Sequence, residues 1–184
     1  ELAIQHDLWI MADEIWSDIV YPPFQHVSMA SLDPAIAART FTIYGLSKSF
    51  GLAGLRVGFI VAPTTAAYDA LIRLSRVQTT AAGVTTISQV AAITAYSDCW
   101  YWLDAFLAHL REVRDYAVGR LNAMPGVACK APEGTYVLFP DITGLGMDSK
   151  AAAEYLLRQA RVAVGPGLPR WFGPGAEGNI RICF

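Results

Sequence analysis

The apolar residues of this chain change their period part-way along it, and that change limits the fold more than any other feature. Residues 8–12 (LWIMA) form a continuous apolar run, the pattern expected of a strand buried on both faces. Residues 40–44 (TFTIY) are β-branched and aromatic, hence a second strand, and residues 57–62, stopped by Pro63, predict a third. Between the first two, Asp33 and Pro34 supply an N-cap and a first-turn proline for a short helix through Ala38. After Pro63 the spacing turns helical, over residues 66–77 and again over 85–96. From Asp98 onward Leu103, Phe106, Leu107, Leu110, Val113, Ala117 and Leu121 recur every three or four residues, one apolar stripe of a long surface helix. Pro125-Gly126 ends it. Beyond it residues 127–130, 135–139, 162–164 and 179–184 are strand-like and 149–160 helical. The class is α/β, with a split near residues 98–124.

Composition narrows the function. Of the 184 residues 54% are hydrophobic and 16% charged, and the net charge is −2, which is globular composition with no basic stripe for nucleic acid or anionic membrane. No apolar run has the length of a membrane span, so neither a membrane-spanning segment nor a signal peptide is expected. Three widely separated cysteines, Cys99, Cys129 and Cys183, lack metal-ligand spacing and are expected as small buried thiols of a reduced, cytoplasmic protein. Both ends have the look of a cut: residues 1–7 resemble the tail of a helix already under way, and residues 180–184 stop on an apolar run.

The chemistry concentrates between the second and third strands, in residues 44–58 (YGLSKSFGLAGLRVG). A single lysine, Lys48, stands on a Gly/Ser-rich stretch expected to be a turn, with Arg56 eight residues on. A lysine there adds nothing to packing, and a desolvated amine is suited to imine chemistry with an aldehyde. Ser47 and Arg56 are a hydroxyl and a bidentate cation suited to a phosphate, and Gly51, Gly54 and Gly58 allow tight turns and close approach. Asp13 follows the first strand, where α/β sheets bind ligands. Singly, each of these residues has a plainer role as a solvated side chain, a surface ion pair or a turn cap.

Together they carry a resemblance. Ala12-Asp13-Glu14-Ile15, Ser47-Lys48, Gly54-Leu55-Arg56-Val57-Gly58 and Asn179-Ile180-Arg181-Ile182 resemble, in order and approximate spacing, the PLP-dependent aminotransferases of fold type I, class I/II, from the middle of the cofactor domain onward. The resemblance implies that residues 1–97 are the second half of a PLP-binding large domain, 98–124 a connecting helix, and 125–184 a small, truncated C-terminal α/β domain. It implies pyridoxal 5′-phosphate as cofactor, Lys48 as its Schiff-base lysine, Asp13 as partner of the pyridinium nitrogen, Ser47 and Arg56 as phosphate ligands, and Arg181 as the fork for a substrate carboxylate. Amino acid and 2-oxo acid substrates, no metal, and a homodimer in the full-length form follow from the same likeness.

Two positions depart from the family pattern. Trp16 stands where the family often has a tyrosine that bonds the cofactor's phenolic oxygen, and Gly45 where it often has a phosphate-binding Ser or Thr. The segments from Asp13 to Tyr21 and from His26 to Leu32 also look like the cystathionine β-lyase-like C–S lyases, which often lack the arginine corresponding to Arg56. A C–S β-lyase, and a non-catalytic remnant, are therefore the alternatives to transamination.

Overall fold

The computed structural model describes residues 1–79 and 81–184. The chain divides into two compact units, Glu1–Phe106 and Leu107–Phe184. The boundary falls inside the long helix, α6, described below.

The first unit opens with a single helical turn, α1 (Leu2–Gln5), followed by β1 (Ile10–Asp13). Next come α2 (Pro34–Ala37), where Asp33 caps the helix by accepting the Ala35 N–H at 2.7 Å, and β2 (Thr40–Gly45). A single turn, α3 (Leu46–Ser49), leads through a 3₁₀ turn (Ala53–Leu55) to β3 (Gly58–Val61). Then follow α4 (Thr65–Ser75), α5 (Thr86–Asp98) and α6 (Trp100–Asn122). The sheet order is β1-β2-β3, with β1 parallel to β2 and β3 antiparallel to it. Thr64 and Thr85, each a hydroxyl just ahead of an apolar helix, cap α4 and α5 through their side chains, satisfying otherwise orphaned N–H groups.

The expected strand of residues 8–12 is shifted and less covered than its apolar run predicts. Met11 is 75% exposed and Trp9 63%, because β1 has only β2 beside it and no described element lies over that face. The expected turn at 45–54 is instead largely helical: α3 and the 3₁₀ turn take up most of it, and of its glycines only Gly51 uses a left-handed backbone (φ 67°). Behind α3, Phe50 packs edge-on against Tyr96 and Trp100 and stacks with Trp102. This aromatic cluster presses α5 and the start of α6 onto the β2–α3 junction.

The second unit continues α6 and adds β4 (Val137–Leu138), α7 (Ser149–Ala160), β5 (Gly165–Pro166), α8 (Pro169–Phe172) and β6 (Ile180–Cys183). Its sheet is antiparallel, in the order β4-β6-β5. Ile142, Ala152 and Ile180 form the buried centre, with Val127, Met147, Leu156, Val164 and Ile182 against it. Two expected strands are not strands. Of residues 127–130 only Ala128 makes an isolated bridge, to Asp141, and the strand expected at 162–164 forms later, at Gly165–Pro166, because Arg161 is left-handed (φ 58°) and the chain must first leave α7. Of the cysteines, Cys129 is buried, Cys99 half-buried and Cys183 exposed, so burial holds for one of the three. All three are free thiols.

Candidate active site

Strand register brings the chemistry of the first unit to one end of its sheet. Asp13 pairs with Ile43, so the C-terminal end of β1 lies beside the C-terminal end of β2, five residues before Lys48. Gly45 pairs with Gly58, so Arg56 enters the sheet at that same end. The sequence folds this way because each apolar run stops there. Asp13 closes β1, Gly45 extends β2 into α3, and Arg56, left-handed at φ 53°, turns the 3₁₀ segment into β3. Ser88, buried on α5, donates its hydroxyl to Leu55 O at 2.7 Å and so anchors the residue next to Arg56.

The groups that converge are chemically uncommitted. Lys48 and Ser47 are half-buried, whereas Asp13 and Arg56 are exposed. The Lys48 Nζ lies 5.0 Å from the centroid of the Trp16 ring, a cation–π contact worth about 0.5–2 kcal/mol depending on desolvation. The indole thus offers its face to the amine where a phenol would offer a hydroxyl. Among the described residues the Asp13 carboxylate accepts only the Ile15 N–H, at 3.3 Å. Among the described residues the side chains of Ser47 and Arg56 have no hydrogen-bond or ion-pair partner.

The acidic groups just after Asp13 are, by contrast, fully engaged, and sequence reasoning missed them. Glu14, 9% exposed, accepts bonds from Ser28 Oγ (2.9 Å) and the Met29 N–H (2.9 Å), and pairs with His26 Nε2 (3.1 Å). Burial by itself would raise its carboxyl, but the bonds from His26, Met29 and Ser28 outweigh it and hold the group below the usual range. Asp18 Oδ2 accepts from Ser49 Oγ at 2.6 Å and from Tyr44 Oη. Burial first, then the bond and charge of Asp18, push the Tyr44 phenol well above its ordinary value. The two serines flanking Lys48 were the available signal for such an anchor. Arg181, the remaining expected site residue, lies on β6 in the second unit, exposed and paired in register with Gly165.

A lightly held amine, carboxylate and guanidinium thus stand at the strand ends of an α/β sheet, where such sheets bind ligands. The chain belongs to the class I and II aminotransferases: the model of that family matches residues 1–184. It is 33% identical over 186 residues to the aspartate aminotransferase of Pyrococcus abyssi, covering 100% of this chain and 46% of that protein. The aromatic aminotransferase of Pyrococcus horikoshii OT3 superposes with a TM-score of 0.88 at 33% identity, over 99% of this chain and 47% of the other. Cystalysin from Treponema denticola, whose structure contains pyridoxal 5′-phosphate, gives 0.88 at 26%, over 99% and 46%. The chain therefore spans about half the length of the relatives it matches.

Proposed function

We propose that this chain is the C-terminal part of a PLP-dependent aminotransferase, made of the second half of the cofactor domain and the small domain, which moves an amino group between an amino acid and a 2-oxo acid. The observation that carries the reading is the set of uncommitted polar groups at one sheet end. Lys48, Asp13, Ser47 and Arg56 fit an aldehyde-bearing, phosphorylated pyridine in donor chemistry: an amine, a carboxylate, a hydroxyl and a guanidinium. When bound, the cofactor supplies an electron sink for the pair left as the substrate Cα–H bond breaks. The protein's part is positioning and proton control. Lys48 Nζ holds the cofactor and then takes and returns the Cα proton. The Asp13 carboxylate keeps a proton on the pyridine nitrogen. Ser47 and Arg56 grip the phosphate, Trp16 lays its face against Lys48, and Arg181 binds the substrate carboxylate as a fork. A homodimer of the full-length protein and a cytoplasmic setting belong to the same proposal, the latter supported by the three free thiols.

The test uses the full-length protein that contains this chain, loaded with PLP. Borohydride should leave a cofactor adduct on Lys48 that is absent from Lys48→Ala, and an amino acid with 2-oxoglutarate should yield glutamate. An adduct that persists in Lys48→Ala overturns the lysine. Pyruvate and ammonia from cystathionine, with no glutamate from any donor, would establish instead the C–S lyase that residues 13–21 resemble. A wild-type protein that takes up no PLP would be the non-catalytic remnant.

A further inference from the structure

We propose that Asp18 is a positioning residue for Lys48, acting through Ser49 and Tyr44. The inference rests on the role of Lys48 proposed above and extends it to a carboxylate that would touch neither cofactor nor substrate. The starting point is the smallness of α3. Four residues, Leu46–Ser49, are far too few to hold a helical turn by themselves, since nucleation costs more than one turn returns. The direction of the Lys48 side chain therefore depends on what holds α3 from outside. Its inner side is Leu46 and Ser49, both buried, and its outer side carries Ser47 and Lys48, half-buried.

The polar anchor on the inner side is a single oxygen. Ser49 Oγ, on a residue 1% exposed, donates to Asp18 Oδ2 at 2.6 Å, and Tyr44 Oη donates to the same atom. Tyr44 is the next-to-last residue of β2 and Ser49 the last of α3, so Asp18 grips the lysine-bearing turn from both sides. Hydrogen bonds to a carboxylate are shorter and stronger than neutral ones, and the Tyr44 ring is further fixed by stacking on Tyr96, with centroids 6.1 Å apart. Two residues before Asp18 stands Trp16, whose ring faces Lys48 Nζ at 5.0 Å. Asp18 thus ties together the segment that carries Asp13 and Trp16 and the turn that carries Lys48. A hydrogen-bonded clamp of this kind sets the distance and angle between the amine and the pyridinium carboxylate, where small displacements are costly.

The experiment compares wild type, Asp18→Asn, Ser49→Ala and Tyr44→Phe in the full-length PLP-loaded protein. It reads the rate of cofactor release, the initial rate of borohydride incorporation at Lys48, and the thermal midpoints with and without PLP. Ser49→Ala should speed release and slow incorporation about ten-fold, the loss of one charge-assisted hydrogen bond, and Asp18→Asn, which strips the charge from both bonds, by at least as much; both should narrow the gap between the midpoints with and without PLP. Tyr44→Phe should act in the same direction. The double variant Asp18→Asn/Ser49→Ala should be little worse than Asp18→Asn alone, because the bond that Ser49→Ala deletes has by then lost its charge assistance, whereas it should be worse than Ser49→Ala alone, since Asp18→Asn also weakens the bond from Tyr44. If Asp18→Asn fails to fold, Ser49→Ala, which deletes one oxygen, carries the test. Equal lowering of both midpoints, with release and incorporation within about two-fold of wild type, would make the cluster a structural brace only and overturn the proposal. A wild type that shows no reducible PLP would sink the assignment of Lys48 itself, a separate and distinguishable failure.

Discussion

At the scale of single residues, neighbouring carboxylates in one short segment serve opposite ends. Asp13 is exposed and lightly bonded, Glu14 buried and fully bonded, because side chains alternate faces as β1 runs out. Glu14 draws the loop of His26, Ser28 and Met29 against the segment that presents Asp13. Its folded carboxyl is held below the ordinary value of a free glutamate. A depressed carboxyl stabilises the fold above its unfolded value, and that contribution is lost as the pH falls through the folded one. Glu14→Gln should therefore cost about 1–2 kcal/mol at pH 7, and the deficit should shrink below about pH 4.5, as wild type loses the same charge. Denaturant titrations at neutral and acid pH measure both; a deficit independent of pH would assign the loss to shape rather than charge. Lys48, Asp13 and Arg56 stand out in the sequence through the order of the motifs that carry them, and strand register sets those motifs at one sheet end. The parts played by Asp18, Tyr44 and Ser49 could not, because their partners are 26 and 31 residues apart.

At the scale of elements, local signals worked where one residue suffices to decide. Asp33, Thr64, Thr85 and Asp148 all cap the helices that follow them. In α7 the Asp148 carboxylate accepts the Ala151 N–H at 2.7 Å, and Lys150 and Arg158 both reach Glu154 on the exposed face. Asp148→Ala should lower stability by about 1 kcal/mol, seen as an earlier denaturation midpoint, while Lys150→Ala should change it by less than about 0.5 kcal/mol. A large effect of Lys150→Ala would mean that the surface pair outweighs the cap. Local signals failed for the short strands. Of residues 127–130 only Val127 is β-branched, and the stretch finds a single bridge, Ala128 to Asp141. Gly167, which follows β5, is needed for a reason invisible in its neighbours: its N–H donates to Asn179 O at 2.9 Å, and a Cβ there would lie 2.6 Å from that oxygen.

At the scale of the molecule, the exposed surface is the outstanding quantity. A 20.0 kDa chain folded as one body exposes roughly 8,700 Å², and as two separate bodies of these sizes roughly 10,400 Å². This chain exposes 12,067 Å². Part of the excess lies on sheet edges: Trp9 and Met11 at β1, and Phe59, Ile60 and Val61 on β3. Open edges with apolar side chains favour association. The 184-residue chain alone is expected to bind a hydrophobic dye and to elute above its monomer mass, and to hold PLP more weakly than the full-length protein by two or more decades. Size-exclusion chromatography with light scattering, and a PLP titration of both forms, check this. A monodisperse 20.0 kDa species with tight PLP binding would contradict it.

The α/β class, the three strands of the first unit, the long helices, the Asp33 cap and the family were determined by the sequence alone, because each depends on residue type and on spacing of a few positions. Only the tertiary structure decided that the stretch around Lys48 is a helical turn rather than a loop, that β1 is open on one face, and that Asp18 rather than Asp13 grips that turn. Those outcomes depend on register. Pairing Asp13 with Ile43 and Gly45 with Gly58 brings distant residues to one sheet end, and no local pattern of side chains encodes which distant partner a buried hydroxyl or carboxylate will meet.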